Sequence, residues 1–424
     1  MRILIIAPGS RGDVQPYIAL GKGLKTAGHV VRFVTHSDFR GLVTPHGLDF
    51  WPIAGDLQDI VRTEDMQTRI EGGNFLLLMA QMAKEAQRGA LHMARASLSA
   101  AQGMDLVLAG MGGVYIGLAV AEKLNLPLLQ AYVVPFTATR EYASVLMPTM
   151  PKWLGRSFNR LTHHLLRQTM WQGFRSADTL ARHKVLGLPA ASFWGPYNSH
   201  AAEGMPILYG FSPSVVPAAR DWGEAVHVTG YWFLEEAEAW SPPRDLTEFL
   251  EAGPSPVYIG FGSMSTQEPE RTTRLVLDAL GRLGQRAIML SGWGGLRQTD
   301  LPRSVYMGET IPHAWLFPRV ATVVHHGGAG TTAAGLRAGV PSVIIPHFGD
   351  QPFWGQRIAA LGAGPQPILW KRLTAERLAT AIRRATTDTR MQRQANALGE
   401  RIRSEDGIGR AVEIIRQVEQ SRGA

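Results

Sequence analysis

A glycine-rich stretch in the C-terminal half combines residue types that could bind a phosphate. Residues 325–332 read His-His-Gly-Gly-Ala-Gly-Thr-Thr and follow 320–324, a mostly β-branched apolar run typical of a buried strand. Residues 333–338 suit a helix that Gly339 and Pro341 would end. A helix N-terminus carries a partial charge of roughly +0.5, and glycines let a phosphate approach its free N–H groups. The pattern predicts a diphosphate cradle; the alternative is a helix cap with both histidines satisfied inside the fold.

A second glycine turn follows the first predicted strand. Residues 9–13 read Gly-Ser-Arg-Gly-Asp, and Asp13 stands just before a predicted helix at 14–24. An aspartate there can be the helix N-cap or a general base that takes a substrate proton, and spacing alone favours the cap. The spacing Gly9-x-x-Gly12 departs from the G-x-G-x-x-G of dinucleotide sites, which weakens an NAD-binding interpretation. In a third turn, at 260–263, Ser263 could reach a phosphate, although a tight strand exit is the favoured interpretation.

Asp350 and Gln351 follow another predicted strand and suit a sugar. Side by side, a carboxylate and an amide supply the acceptors and donors that sugar hydroxyls need, although an exposed loop pair is the common alternative. The sequence contains no Asp-x-Asp, a usual way to hold a divalent ion under a diphosphate. We therefore expect no metal, and expect backbone amides, the helix dipole and histidine to neutralise the phosphate charge.

Strand-like and helix-like runs alternate along most of the chain and must position these turns. Helical patterns cover 75–102 and 271–283, among others. The predicted strands are 2–8, 29–36, 105–110, 127–134, 257–263, 287–292, 305–309, 322–326 and 342–347. This alternation predicts an α/β protein with two doubly wound, Rossmann-like domains of parallel strands facing a cleft. Ligands bind at the carboxyl ends of such strands, where all three turns lie.

Composition narrows the class of protein. The 424 residues suit two or three domains, and a 45% hydrophobic and 18% charged composition argues against disorder. We expect no membrane span, because no long uncharged apolar run occurs. There is no cysteine, which excludes disulfides and thiolate sites. Since the first residues also suit a strand better than an export signal, we expect a cytoplasmic protein. The net charge of +8 would suit an anionic ligand, a nucleic acid or an acidic membrane surface, but the basic residues are spread along the chain, so a generally basic surface is favoured.

The first half holds two further patterns. Residues 153–182 form a basic amphipathic helix that could make peripheral contact with the inner face of an anionic membrane, although ordinary core packing is favoured. Apolar residues that could line an acceptor pocket are Phe75, Met79, Met147 and Trp171. Plain core packing is again the commoner role of such residues.

Three motifs taken together resemble a known family. Residues 9–16 (GSRGDVQP), 325–332 (HHGGAGTT) and 349–351 (GDQ) are similar to nucleotide-sugar-dependent glycosyltransferases of the GT-B fold, in the UDP-glycosyltransferase superfamily. The similarity is greatest to sterol glucosyltransferases and to bacterial enzymes that glycosylate lipids, polyketides and glycopeptides. It extends to about residue 365 and is weak at 60–230, the region expected to bind the acceptor.

The resemblance implies roles for whole segments. It implies an acceptor-binding domain at 1–234, a linker at 235–252 and a nucleotide-sugar-binding domain at 253–391. The final stretch, 392–424, would be a helix that crosses back to the first domain. The helical pattern at 392–420 suits that role.

It also implies roles for single residues. Asp13 would be the catalytic base, which reverses the preference for a pure cap. Ala329 replaces a residue that is serine in some members. The donor-binding residues would be Ser10, Gly12, Ser263, Ile311, His326, Gly328, Ala329, Gly330, Thr331, Thr332, Asp350 and Gln351.

The implied reaction is a metal-independent, inverting transfer of a hexose, glucose above all, from a UDP-sugar to a hydroxyl. The acceptor would be a sterol or similar polycyclic alcohol. An alternative is a polyketide, macrolide, flavonoid or glycopeptide acceptor with a UDP- or TDP-sugar. Three rivals are a nucleotide-sugar epimerase, a non-enzymatic nucleotide-sugar binder and a dinucleotide oxidoreductase. No cofactor beyond the donor substrate is expected.

Overall fold

Two parallel sheets organise the chain, and each belongs to its own compact unit. The computed structural model describes residues 1–54, 75–147, 155–197, 199–235, 240–261, 269–290 and 301–423. Unit 1 holds the described residues up to 235 together with those from 405 onward, and unit 2 holds those from 240 to 404.

Unit 1 is built on a seven-stranded sheet in which every neighbouring pair of strands is parallel. Its strands are β1 Arg2–Ile6, β2 Val30–His36, β3 Asp49–Ile53, β4 Leu106–Ala109, β5 Leu128–Tyr132, β6 Ile207–Tyr209 and β7 Val226–Val228. Their order across the sheet is β3-β2-β1-β4-β5-β6-β7. The order reverses between β1 and β4, which creates a switch point of the kind where ligands bind in such sheets.

Helices cover both faces of this sheet. They are α1 Arg11–Thr26, α2 Arg40–Val43, α3 Phe75–Ala101, α4 Val114–Leu124 and α5 Gly155–Ala181. Strand β1 shows why both faces are needed: Ile3 and Ile5 pack into one buried cluster with α1, and Leu4 and Ile6 pack into another on the opposite face. Such an all-apolar strand is typical of a sheet that helices bury on both sides.

Unit 2 repeats the plan on a five-stranded parallel sheet in the order β10-β9-β8-β11-β12. Its strands are β8 Val257–Gly260, β9 Ala287–Leu290, β10 Val305–Gly308, β11 Thr322–His325 and β12 Ser342–Ile344. Its helices are α6 Arg244–Glu251, α7 Pro269–Gly281, α8 His313–Leu316, α9 Ala329–Ala338, α10 Gln351–Ala360, α11 Ala375–Thr387 and α12 Thr389–Ser404. The predicted class, α/β with two doubly wound parallel sheets, is confirmed.

The structure differs from the predicted elements in its strands and in the predicted linker. It adds β3, β6 and β7, which the sequence patterns missed. The predicted linker at 235–252 contains α6, whose Leu246 is fully buried in the core of unit 2, so that helix belongs to unit 2.

The C-terminal stretch is two helices and not one. Helix α12 ends at Ser404, and α13, Gly407–Gly423, begins after a two-residue break and belongs to unit 1. Ala411, Val412 and Ile415 of α13 join the buried cluster around α1. At the break, Glu405 Oε1 accepts hydrogen bonds from the hydroxyls of Ser212 (2.7 Å) and Ser214 (2.9 Å).

Within the described ranges, no helix combines the length and the apolar character that crossing a membrane requires.

A close backbone approach anchors α13. A Cβ on Gly407 would lie 2.6 Å from both the carbonyl carbon of Gly230 and the oxygen of Tyr231. We expect Gly407→Ala to lower the free energy of unfolding of unit 1 by about 1–3 kcal/mol, because the backbones must separate. Urea denaturation followed by circular dichroism measures this.

The matched control is Gly89→Ala. Gly89 lies inside α3, and a Cβ there would meet no atom within 4 Å. That variant should be more stable than the parent chain by about 0.5–1 kcal/mol, because alanine favours helix. Equal unfolding midpoints for the two variants would contradict the proposed anchor.

Candidate active site

Asp13 lies in the first turn of α1, immediately after the turn that leaves β1. Its Oδ2 accepts two hydrogen bonds from Ser10, one from the backbone N–H (2.9 Å) and one from the hydroxyl (2.8 Å). Ser10 is the helix N-cap, so Asp13 is the third helical residue and closes a capping box. The expectation that Asp13 itself is the N-cap is therefore wrong. Ser10 and Asp13 act as one hydrogen-bonded unit.

Gly9 makes room for that carboxylate. Its φ is +145°, and a Cβ there would lie 2.7 Å from both the Cβ and Oδ2 of Asp13. Any side chain at position 9 would therefore push Asp13 away from Ser10. Gly12 is exposed, and a Cβ on it would lie 3.7 Å from Ser10 Oγ.

Burial raises the pKa of Asp13 above its ordinary value, and the two hydrogen bonds from Ser10 oppose that rise. One helical turn further on, Tyr17 is buried, and its hydroxyl donates to the backbone oxygen of Ala131 (2.6 Å). The negative charge of Asp13 adds to the burial that raises the pKa of Tyr17, so Tyr17 stays neutral. The result is a carboxylate more basic than a free aspartate, as a general base requires.

In unit 2, the glycine-rich stretch forms the predicted turn between β11 and α9. Gly328 is the N-cap of α9, and the first intrahelical bond runs from the N–H of Thr332 to the oxygen of Gly328 (2.9 Å). The amides of Ala329, Gly330 and Thr331 precede that bond and lie at the positive end of the helix. Gly339, with φ +75°, is the C-cap, as predicted.

The two histidines have different surroundings. His325 is fully buried, and its Nδ1 accepts a hydrogen bond from the N–H of Gly327 (3.1 Å), so the ring is neutral. His326 is half-buried, and a Cβ on Gly328 would lie 2.5 Å from its Nε2. Burial lowers the pKa of His326 to about 4. At neutral pH His326 can therefore offer a ligand an N–H donor but no positive charge.

Sequence reasoning missed His347, which follows the adjacent strand β12. Its ring stacks on Trp370 (centroids 4.2 Å apart), and Trp370 also contacts Phe261 at the end of β8. Burial and the neighbouring His326 lower the pKa of His347 to about 3. Within the part of the chain that the structure describes, its Nε2 has no hydrogen-bond partner. Since β11 and β12 are paired, the carboxyl-end rule that pointed to His326 could also have found His347.

Asp350 and Gln351 begin α10, and both side chains make contacts within the fold. Gln351 is buried, and its Oε1 accepts from the backbone N–H groups of His347 (2.8 Å) and Phe348 (3.3 Å). Asp350 Oδ2 accepts from the indole of Trp354 (2.6 Å). These bonds fix the orientation of both groups, and Asp350 stays half-exposed.

The remaining predicted donor residues fall into three settings. Thr331 is half-buried, whereas Thr332 is fully buried, and its hydroxyl has no partner among the described residues. The side chain of Ile311 is buried in the core of unit 2 with Leu290. Ser263 lies outside the described residues.

The acceptor candidates come together only in part. Trp171 is fully buried, and its indole donates to the oxygen of Ser192 (3.1 Å), so its role is packing. Met79 is half-buried on α3 beside α5, where its Cε would lie 3.8 Å from a Cβ on Gly173. Met147 is half-buried in a turn; the side chain of Phe75, at the start of α3, lies outside the described part.

Two family models match the chain, one in each half. Residues 3–143 match the glycosyltransferase family 28 N-terminal domain. Residues 274–418 match the C-terminal domain of the erythromycin biosynthesis protein CIII-like family.

Curated relatives match along nearly the whole chain. The chain is 37% identical over 441 aligned residues to a sterol 3-beta-glucosyltransferase of Cryptococcus neoformans and 39% identical over 425 to one of Pichia angusta. Each alignment covers 98% of this chain, but only 27% and 33% of the relatives. The chain thus spans a third or less of the length of these relatives.

Solved structures agree on the fold. The calicheamicin glycosyltransferase superposes with a TM-score of 0.69 at 20% identity, covering 100% of this chain and 99% of that one. The resemblance to GT-B glycosyltransferases, and to sterol glucosyltransferases in particular, is confirmed.

The prediction that the first turn of α9 binds a diphosphate can be tested at Gly330, where a Cβ would meet no atom within 4 Å. We expect Gly330→Glu to fold normally, since an acidic residue suits the first turn of a helix. It should nevertheless bind UDP about tenfold or more weakly, because its charge repels the diphosphate. Isothermal titration calorimetry measures the UDP affinity, and thermal unfolding checks the fold.

Gly330→Gln is the matched control, since it has nearly the same shape without the charge. If the glutamate and glutamine variants bound UDP equally well, the first turn of α9 would not be the diphosphate site.

Proposed function

We propose that this chain is an inverting O-glycosyltransferase that moves glucose from UDP-glucose to the 3β-hydroxyl of a sterol or a similar polycyclic alcohol. The observation that carries the proposal is the 37–39% identity, along 98% of the chain, to sterol 3-beta-glucosyltransferases. The two turns described above supply the groups that such a reaction needs.

Asp13 is the base. The acceptor oxygen attacks the anomeric carbon of the sugar while its proton passes to the Asp13 carboxylate. Because a carboxylate is a weak base for an alcohol, proton transfer accompanies formation of the new C–O bond. The raised pKa of Asp13 supports this role, because it makes the carboxylate a stronger base and so reduces the difference in pKa between Asp13 and the acceptor hydroxyl. The hydrogen bonds from Ser10 hold Oδ2 in one place, so Oδ1 is the oxygen left to accept the proton.

The first turn of α9 receives the leaving group. As the bond between the anomeric carbon and the diphosphate breaks, the electron pair goes to the phosphate oxygen. The amides of residues 329–331 and the neutral ring of His326 donate hydrogen bonds to it, in fixed positions that need no reorganisation. Asp350 and Gln351 bind the sugar hydroxyls. This division of labour requires no metal, in keeping with the lack of an Asp-x-Asp in the sequence.

A second acceptor class has specific support. The C-terminal family model is named for an erythromycin biosynthesis protein, and the calicheamicin glycosyltransferase shares the fold. A polyketide, macrolide, flavonoid or glycopeptide with a UDP- or TDP-sugar is therefore the alternative substrate pair.

One assay separates these possibilities. The purified chain is incubated with UDP-glucose or TDP-glucose and with sterols, macrolides or flavonoids, and products are identified by mass. Steryl glucoside and UDP are expected. Conversion of the donor without an acceptor would indicate an epimerase, and a glycosylated macrolide without steryl glucoside would favour the alternative.

Replacing Asp13 tests the base. We expect Asp13→Asn to lower the rate of glucosyl transfer about 100-fold or more, because an amide cannot take the proton. UDP affinity should stay unchanged, since the diphosphate site is in unit 2. Asp105→Asn is the control: it removes an exposed ion pair with Arg2 (2.6 Å) and should leave the rate near that of the parent. Near-normal turnover by Asp13→Asn would exclude Asp13 as the base.

The pH profile tests the partnership with Ser10. Protonated Asp13 cannot accept a proton, so kcat/KM should fall on the acidic side at a pH above the ordinary pKa of aspartate. Ser10→Ala removes the hydroxyl that stabilises the carboxylate, which raises the pKa further and moves the acidic limb to higher pH. Ser10→Thr keeps a hydroxyl and should leave the limb in place. An acidic limb identical in the alanine and threonine variants would show that another group controls it.

A further inference from the structure

Two stacked rings of unit 2 lie beside the start of α10. The imidazole of His347 packs on the indole of Trp370, with centroids 4.2 Å apart and planes inclined by 26°. Stacked ring pairs are favourable beyond the area that they bury, and they fix the orientation of one ring relative to the other. We call His347 and Trp370 the stacked pair.

The stack is the contact that orients the imidazole of His347. Its Nε2 is buried and has no hydrogen-bond partner among the residues that the structure describes. Burial and the neighbouring His326 lower the pKa of His347 to about 3, so the ring is uncharged at neutral pH. A neutral ring does not attract a phosphate by charge. Its place beside α10 therefore points to a role in packing.

Trp370 is fixed from two sides. Its backbone N–H donates to the oxygen of Pro346 (3.2 Å), and the N–H of Ile368 donates to the oxygen of Ile344 (2.9 Å), so this segment runs along the end of β12. Its indole meets the ring of Phe261 edge to face, with centroids 5.8 Å apart. Phe261 is buried and follows β8, which β11 separates from β12 in the sheet. The indole thus connects the carboxyl ends of the two strands that flank β11.

The backbone of His347 holds the side chain of Gln351. Gln351 Oε1 accepts from the N–H groups of His347 (2.8 Å) and Phe348 (3.3 Å). These bonds turn the amide oxygen toward the backbone and so fix the direction of the amide nitrogen. On another side, a Cβ on Gly327 would lie 3.1 Å from the backbone oxygen of Gln351 and 3.5 Å from its Cβ. Gln351 is therefore confined between the glycine-rich turn and the residue that carries the stack.

We propose that His347 and Trp370 are positioning residues for the donor sugar and that they act through Gln351. This inference rests on the proposed function, in which Asp350 and Gln351 bind the sugar hydroxyls. The stacked pair keeps the backbone of His347 where its N–H orients the amide of Gln351. The sugar then meets an amide that is already in place, so binding needs no ordering of the loop. The amides of residues 329–331, which bind the diphosphate, do not depend on the stacked pair.

Calorimetry with UDP and with UDP-glucose separates the two parts of the donor. We expect Trp370→Ala to weaken the binding of UDP-glucose about threefold to tenfold, the effect of losing one hydrogen bond. Its affinity for UDP should stay unchanged, because UDP carries no sugar. Trp370→Phe keeps a flat ring for the stack and should bind UDP-glucose as the parent does. The titrations use the full chain without acceptor.

Position 347 distinguishes packing from a direct contact with the donor. His347→Phe keeps the backbone N–H and a planar ring but has no ring nitrogen, so it should bind UDP-glucose as the parent does. His347→Ala has no ring to stack and should lose as much affinity for UDP-glucose as Trp370→Ala. If His347→Phe bound UDP-glucose as weakly as His347→Ala, a ring nitrogen and not the stack would be responsible, and the proposal would be wrong.

The matched control is Leu369→Ala. Leu369 precedes Trp370 in the same segment but is 46% exposed. This variant should bind both UDP and UDP-glucose as the parent does, and thermal unfolding verifies the fold of every variant. A loss of UDP-glucose affinity in Leu369→Ala equal to that in Trp370→Ala would overturn the proposal. Equal losses for UDP and UDP-glucose in Trp370→Ala, or no loss for either, would overturn it too.

The result is distinguishable from a failure of the proposed function. If the parent bound UDP-glucose but glycosylated no sterol, the proposed acceptor would be wrong and the role of the stacked pair would stand. If the parent formed steryl glucoside while Trp370→Ala bound UDP-glucose normally, only the positioning role would fail.

Discussion

A missing Cβ is the constraint on which the candidate site in each unit depends. In unit 1 the carboxylate of Asp13 occupies the space that a side chain on Gly9 would need, and in unit 2 the ring of His326 does the same above Gly328. Each glycine lies between a strand and the helix that follows. The glycine lets a side chain fold back over the turn, where the backbone N–H groups are still free of helical bonds. In both turns, therefore, only glycine leaves room for the side chain beside it.

Burial shifts the pKa values of Asp13 and His326 in opposite directions. Desolvation disfavours charge, so it raises the pKa of Asp13 and lowers that of His326. Ser10 counters the effect at Asp13 by donating two hydrogen bonds to the carboxylate. Within the described part of the chain Nδ1 of His326 has no such partner, and burial alone sets its pKa. As a result, the Asp13 carboxylate can accept a proton, and the His326 ring is neutral.

The sequence predicted the parts of the fold that repeat a local pattern. Strands β1 and β11 are buried and mostly β-branched or aliphatic, and glycine marks the turns after them, so both were found. Strands β6 and β7 have three residues each and were missed, although β12 is equally short and was predicted as part of the apolar run after Pro341. The break between α12 and α13 was missed; there Glu405 accepts hydrogen bonds from two serines, and Asp406 Oδ1 accepts one from the N–H of Gly409 (2.8 Å). The cap at Ser10 was missed because Asp13 is also a good capping residue.

The amphipathic pattern of helix α5 predicts a helix with a buried side, but it does not predict which apolar residues remain exposed. Its periodicity suits a helix with one buried side, and Trp171 occupies that side. The sequence cannot say that Leu161 and Leu165 stay about half exposed, nor that a loop almost thirty residues later is fixed beside the helix by Gln168. Burial of one face fixes the helix in place, and this is what turns the other face outward. Unit 1 buries Leu166 and Trp171 of this helix and leaves Leu161 and Leu165 partly in solvent.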